Sequence, residues 1–321
     1  GVAGEDTMKI GVIGAGAVGA ACAFATVMRG CAREIVLVNR NRKRSIAVAK
    51  DIRYGAPLSP VSHIRDGEYV DLKGAAVVMI TAGVNEQTGG ATDRSDPVGR
   101  LKLLDANAAV YRQIFPQLWE VAPEAVIVVV TDPPDPLADL VRCYGFRHVV
   151  STGTYLDSLR FRVHLAQRLN VSPVSIEAQV VGEHGTSEVL LWSSARVAGA
   201  PIFDSLQNTD LSRAEFQQDI EHEVRYANIA IIEGIGASQY GIGMVSARIA
   251  EIIVRDERVV IPIASYNAKY GVTLSMPSVV GRSGVVRILE PDMSSEERKG
   301  IQRSADALRN AVARMQDAVE V

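Results

Sequence analysis

Short apolar runs rich in β-branched residues alternate with helical patterns through the first half of the chain. The runs are KIGVIG (9–14), EIVLVN (34–39), AAVVMITAG (75–83), AVIVVVTD (125–132) and HVVST (148–152). Their apolar residues are nearly continuous, as in strands covered on both faces of a parallel sheet. Helical patterns at 17–29 and 101–120 fall between them. Repeated strand–helix–strand order implies right-handed crossovers and a doubly wound sheet. Beyond about Asp157 the texture changes, to helical stretches at 158–169, 212–233 and 240–254, a strand meander near 258–290 and a charged helix from about Ser294. The expected fold is α/β: a Rossmann doubly wound parallel sheet over 8–152, followed by a second, α+β domain over 153–321. Residues 1–7, GVAGEDT, precede Met8 and read as a tag remnant.

Composition narrows the class of partner. Lys and Arg number 34 against 37 Asp and Glu, a formal net charge of −3, so no global field draws the chain to nucleic acid or anionic lipid. No apolar run approaches the roughly 18 residues of a membrane span, and no basic start with an apolar stretch suggests a signal peptide. Cys22, Cys31 and Cys143 are odd in number, widely spaced and set in apolar contexts, which reads as reduced core thiols in a cytoplasmic protein. His63, His148, His164 and His222 lack a second His or Cys at ligand spacing, so no metal site is expected.

Gly14-x-Gly16-x-x-Gly19 follows the first expected strand and opens the first expected helix. The first glycine permits a tight turn, the second lets backbone approach a pyrophosphate, and the third lets helix pack on strand. The amides of Ala17 and Val18 at the helix start add donors for the phosphates. This is a dinucleotide site. Twenty residues after Gly19, where a carboxylate normally accepts the ribose hydroxyls of NAD, stands Asn39, followed by Arg40, Arg42, Lys43 and Arg44. Such donors suit a 2′-phosphate, so the cofactor is NADP or NAD with the pattern favouring NADP; the alternative is a solvated basic loop.

A second constellation carries the chemistry. GEHG (182–185) places His184 between two glycines, and LDSLR (156–160) puts Asp157 and Arg160 three apart on one helix, facing nearly the same way. Imidazole moves a proton near neutral pH, a buried carboxylate holds one tautomer, and a guanidinium clamps a substrate carboxylate through two hydrogen bonds. Beside a nicotinamide these make a 2-hydroxy acid dehydrogenase site.

The chain resembles the L-lactate/malate dehydrogenase family along nearly its whole length from Met8, through GAGAVG, ITAG (80–83), RLKLLDAN (100–107), GTYLDSLRFR (153–162), GEHGTSEVLLWSS (182–194), YGIG (240–243) and LSMPSVVGRSGV (274–285). SEVLLWSS and SVVGRSGV are closer to the lactate branch. The resemblance implies that the second domain is catalytic and substrate-binding, and that Thr81, Ala82 and Gly83 join the cofactor site. It implies that His184 exchanges the proton, Asp157 pairs with it and Arg160 binds the substrate carboxylate. It also implies that Arg100, seven residues before Asn107, polarises the reacting carbonyl from a mobile loop, and that Ser238 stands at a pocket position usually held by threonine. A homo-oligomer, dimer or tetramer, is implied as well.

Three departures bear on substrate. The residue third after Ala82-Gly83, usually Gln for lactate and Arg for malate, is Glu86. At about 4 Å and an effective dielectric of about 20 it would oppose a second substrate carboxylate by on the order of 4 kcal/mol, which disfavours malate. The segment 85–100 is longer than the family's, so Arg94 competes with Arg100 for the polarising role. Asp132 replaces the family's Asn beside the substrate oxygen. Glu86 and Asp132 together predict an acidic pocket for a keto acid with a polar or cationic tail. The alternatives are a malate dehydrogenase, a metal-dependent glycosidase of the same fold, which would need a Cys/His metal pair, and a non-catalytic dinucleotide-binding protein.

Overall fold

The computed structural model describes residues 8–60, 63–84, 97–206 and 212–317. Glu86 and Arg94 lie outside them. The first half lays down β1 (Lys9–Ile13), α1 (Ala17–Arg29), β2 (Glu34–Val38), α2 (Arg42–Gly55), β3 (His63–Asp66), β4 (Val77–Ile80), α3 (Pro97–Val121), β5 (Val126–Val129), α4 (Pro134–Arg142) and β6 (Val149–Ser151). These six strands pair in parallel, in the order β6-β5-β4-β1-β2-β3. Every residue of β4 and β5 is buried, which accounts for their unbroken apolar runs: helices cover both faces.

The strand order reverses between β4 and β1, and at such a switch point the loops leaving the carboxyl ends diverge and open a crevice. The glycine turn after β1 and the Thr81–Gly83 segment after β4 flank it. The sequence-derived expectation of a doubly wound sheet holds here.

The second half supplies α5 (Tyr155–Leu169), β7 (Ile176–Glu177), β8 (Val180–Val181), β9 (Val189–Leu190), β10 (Arg196–Val197), β11 (Ala200–Pro201), α6 (Arg213–Arg225), α7 (Ala227–Ile235), α8 (Tyr240–Val254), β12 (Val259–Asn267), β13 (Val272–Gly281), β14 (Gly284–Ile288) and α9 (Ser295–Asp317). The antiparallel β8–β9 pair holds the loop carrying His184. The meander β12–β14 joins the main sheet, because Ala264 of β12 pairs antiparallel with Ser151 of β6, giving nine strands in one sheet. Four apolar clusters pack this framework. One lies on each face of the parallel sheet, one beneath α5 and α6, and one between β13 and α9.

Several details differ from expectation. The helical stretch expected over 212–233 is interrupted at Tyr226, which ends α6 and precedes α7. The basic run after Asn39 is no loop: Arg42, Lys43 and Arg44 form the first turn of α2. Of the three thiols expected in the core, Cys22 and Cys31 are buried but Cys143 is exposed, because it falls just past the end of α4 where the chain turns back to the surface. Among the described residues no helix is long and apolar enough to cross a membrane.

Candidate active site

The glycine turn is built by its neighbours. Gly14 has φ +111°, a conformation glycine adopts without Cβ strain, and its N–H donates to Val38 O at 2.8 Å. Thr81 at the end of β4 donates its hydroxyl to Ile13 O and Gly14 O, both at 3.1 Å. A Cβ on Gly19 would stand 1.8 Å from Gly14 O, so only glycine lets α1 come this close to β1. A Cβ on Gly16 would meet nothing within 4 Å and would project into open space. That opening fits a pyrophosphate seated against bare backbone at a helix N-terminus.

The ribose end is more constrained than the sequence suggests. Asn39 Oδ1 accepts from the N–H of Ala15 at 3.1 Å and its Nδ2 donates to Asn41 O at 2.9 Å. Arg42 is engaged by Asp66 at 2.7 Å and Glu68 at 3.0 Å, and Arg44 Nε donates to Ala15 O. Of the donors expected to meet a 2′-phosphate, Asn39, Arg42 and Arg44 therefore have structural work. Arg40 and Lys43 are exposed.

A cleft of about 190 Å³ joins the two halves. Gly16, Ala17, Val18, Gly19, Thr81 and Gly83 line one side, and Asp132, Arg160, His184, Asn228 and Ser238 line the other. Ala82, between Thr81 and Gly83, donates its N–H to Ile13 O at 3.1 Å.

Within the cleft, His184 Nδ1 lies 2.6 Å from Asp157 Oδ2, and Asp157 is wholly buried. A carboxylate only accepts, so Asp157 keeps a proton on Nδ1 and leaves Nε2 to exchange one with a ligand. Nε2 faces Asp132, whose Oδ1 is 3.6 Å away. Arg160 sits one helical turn from Asp157, at 3.5 Å, and its Nη2 donates to Asn228 Oδ1 at 2.6 Å. The sequence-selected trio of base, acid and carboxylate anchor thus converges because α5 presents Asp157 and Arg160 on one face toward the β8–β9 loop.

Arg100 takes a different place. Its guanidinium pairs with Glu183 at 2.8 Å and donates to Thr186 Oγ1 at 3.0 Å. It lines a neighbouring cavity of about 400 Å³ on the far side of His184, with Asp135 and residues of α9 including Arg314.

Sequence reasoning passed over four residues. Asn228, 5% exposed on α7, orients the Arg160 guanidinium. Asn107 binds Val84 through both amide atoms and donates to Asp132 O at 2.7 Å, tying the segment after β4 to the one after β5. Glu188 is buried, with a carboxylate oxygen within 4.8 Å of ring and carboxylate atoms of His184 and Asp157. Asp135 is 1% exposed and accepts from the His184 N–H at 3.0 Å and the Ser151 hydroxyl at 2.7 Å. Burial pushes its carboxyl up to about 7. All four fell inside stretches that the sequence had marked, but for other residues or for helical pattern alone; Asn228 meets Arg160 and Asp135 meets His184 only through long-range folding.

Residues 8–148 match the model of the lactate/malate dehydrogenase NAD binding domain, and residues 154–319 match the lactate/malate dehydrogenase alpha/beta C-terminal domain. The chain is 42% identical to an L-lactate dehydrogenase of Deinococcus radiodurans over 304 residues, 94% of this chain and 97% of that one. It is also 42% identical to an L-lactate dehydrogenase of Thermus aquaticus over 316 residues, 95% and 99% of the two chains. Among solved structures, a lactate dehydrogenase from a Medee basin deep-sea metagenome library superposes with a TM-score of 0.88 at 30% identity, covering 97% of this chain and 99% of the other. A minor L-lactate dehydrogenase from Enterococcus mundtii does so with a TM-score of 0.88 at 30% identity, covering 96% and 98%. With both halves matched and the glycine turn facing the His184–Asp157–Arg160 cluster across one cleft, the chain belongs to the lactate/malate dehydrogenase family.

Proposed function

We propose that this chain is an NAD-dependent L-2-hydroxy acid dehydrogenase of the lactate type, interconverting a 2-keto and a 2-hydroxy monocarboxylic acid, with pyruvate and lactate as the reference pair. The observation that carries the reading is the position of His184, held by Asp157 at 2.6 Å and opening onto the cleft shared with Arg160 and the glycine turn. In this reading residues 8–152 hold the cofactor and 153–321 bind substrate.

Gly14, Gly16, Ala17, Val18 and Gly19 would hold the pyrophosphate, and Thr81, Ala82 and Gly83 would lie along the nicotinamide side. When bound, the nicotinamide supplies or accepts the hydride at its C4. Arg160, oriented by Asn228, pairs with the substrate carboxylate and sets the keto carbon toward that ring. His184 donates the Nε2 proton to the carbonyl oxygen during reduction and takes it back during oxidation, while Asp157 stabilises the imidazolium and holds the ring. Asp132, beside Nε2, helps keep that proton in place before reduction.

NAD(H) is the cofactor of this reading, since Asn39, Arg42 and Arg44 are already committed within the fold. Asp132, together with Glu86, would make the pocket acidic and suit it to a keto acid with a polar or cationic tail. Arg100 would polarise the carbonyl only after leaving Glu183. The homo-oligomer, dimer or tetramer, would form through the face where Phe24, Met28, Tyr240 and Met244 are each more than half exposed, and the two buried reduced thiols suit the cytoplasm.

The test is the absorbance change at 340 nm with pyruvate, oxaloacetate and amino- or guanidino-bearing 2-keto acids, each with NADH and NADPH. Turnover of a monocarboxylic keto acid with NADH supports the reading. Turnover of oxaloacetate alone, or of nothing, overturns it, and pyruvate clearly exceeding the cationic substrates overturns the acidic-tail reading.

A further inference from the structure

The loop of His184 is anchored just before it, where Gly182 exchanges backbone hydrogen bonds with Ser275 at 2.9 and 3.0 Å and the Glu183 N–H donates to Ser304 Oγ at 3.2 Å. The glycines on either side, Gly182 with φ +86° and Gly185 with φ +155°, are in conformations that side-chain-bearing residues rarely adopt, and glycine contributes no side-chain packing to stiffen them. Asp157 holds the ring, but a ring fixed at one atom still pivots if the backbone beneath it moves. The backbone is held from another element. The His184 N–H donates to Asp135 Oδ2 at 3.0 Å, near the start of α4. The Ser151 hydroxyl at the end of β6 donates to Asp135 Oδ1 at 2.7 Å. The Gly153 N–H in turn donates to Ser151 Oγ at 3.1 Å, two residues before α5 begins and four before Asp157.

These contacts close a circuit: His184 backbone, Asp135, Ser151, Gly153, the first turn of α5, Asp157, and back to the His184 ring. We infer that Asp135 is a positioning residue for the proton transfer, locking the main chain of His184 to the same β6–α5 corner that orients its ring. The inference rests on the reading of His184 as the proton-exchanging group. Near-attack geometry is sensitive to displacements of about 1 Å, which cost about 10²-fold in rate, so a doubly anchored histidine is worth a buried carboxyl.

The carboxyl is held deep in the protein, at 1% exposure, and burial raises its proton affinity, while the neighbouring His184 charge lowers it. Such coupling is reciprocal: an ionised Asp135 favours the imidazolium by as much as the imidazolium favours ionised Asp135. Among the described residues, Asp157, Asp132 and Glu188 stand around the ring, with Arg160 beside Asp157 at 3.5 Å. Glu183 lies in the same loop, with Arg100 of α3 paired to it and Arg314 of α9 lining the adjoining cavity. Removing the Asp135 charge while keeping its shape therefore moves the pH at which His184 loses its proton, an effect a purely structural strut would not produce.

The experiment uses the full chain saturated with NADH, comparing wild type with Asp135→Ala, Asp135→Asn, Ser151→Ala and His184→Gln. It reads kcat and KM for pyruvate from pH 6 to 9, with NADH affinity by fluorescence. Asp135→Ala is expected to lower kcat about 10²-fold with NADH affinity unchanged and KM within about threefold, because Arg160 is untouched. The Asn amide accepts from the His184 N–H and donates to Ser151 Oγ, so Asp135→Asn recovers most of that loss. It also moves the alkaline fall in kcat/KM to lower pH. Wild-type kcat in Asp135→Ala, or an unmoved pH profile in Asp135→Asn, overturns the inference. If the alanine variant does not fold, Asp135→Asn and Ser151→Ala decide it, and wild-type kcat and pH profile in both overturn it. An active His184→Gln would instead overturn the reading of His184 itself, which separates the two failures.

Discussion

Replacing Asp135 by asparagine is expected to stabilise the fold at alkaline pH while slowing the reaction. Burial raises the Asp135 carboxyl from its ordinary value of 3.8 to about 7 in the folded chain. Below pH 3.8 both folded and unfolded chains hold the proton and the site costs nothing. As pH rises from there to 7 the unfolded chain releases the proton while the folded chain retains it, so stability falls across that window and is constant above it. Three units at 1.36 kcal/mol each put the full cost at about 4 kcal/mol above pH 8, and at about 1–2 kcal/mol at pH 5. Asparagine does not titrate. It leaves a fixed offset for its altered hydrogen bonds, independent of pH, and removes the variable part. The melting temperature of Asp135→Asn relative to wild type should therefore rise between pH 5 and pH 8, by about 4–6 °C for about 2–3 kcal/mol in a chain of this size. Differential scanning calorimetry at the two pH values reads this directly. An equal difference at pH 5 and pH 8 would refute the reasoning, since it would mean that the carboxyl titrates alike in both states.

Other residues give simpler expectations. Arg160→Lys loses the planar fork that meets a carboxylate and the bond to Asn228, so kcat/KM for pyruvate should fall about 10²–10³-fold with NADH affinity unchanged; steady-state kinetics checks it. Gly19→Ala places a Cβ where Gly14 O stands, so α1 must shift from β1 and NADH binding should weaken by more than about tenfold, or 1.4 kcal/mol, by fluorescence titration. Asp132→Asn removes the carboxylate 3.6 Å from His184 Nε2. Because Asp132 is one-third exposed and screened, its removal should move the alkaline fall in reduction rate only modestly to lower pH, read from the pH dependence of kcat/KM.

Local pattern revealed more of the fold than of the site's supports. β1, β2, β4, β5 and β6 were legible because strands buried on both faces carry unbroken apolar runs. β3 was not, since HIRD has one buried residue in four at the sheet edge. The break at Tyr226 was invisible because amphipathic spacing runs through both helices. His184, Asp157 and Arg160 were legible as chemistry-bearing types in short motifs, and the cleft brings them together. Asn39 stands at the spacing of a ribose contact, and the fold gives its side chain a second task that spacing does not reveal, bracing the glycine turn through Ala15. Arg42 likewise reads as a phosphate ligand and is taken by Asp66 and Glu68 of the neighbouring edge. Asp135 lies 49 residues from the backbone it holds, and separations of that kind leave no trace in local spacing.

The central claim is that His184 moves the proton. Its most direct measurement is single-turnover oxidation of bound NADH by pyruvate in His184→Gln, followed at 340 nm, with NADH affinity measured on the same sample. The account predicts unchanged NADH affinity and a rate at least about 10³-fold below wild type at pH 7, whereas a rate within about tenfold of wild type would contradict it.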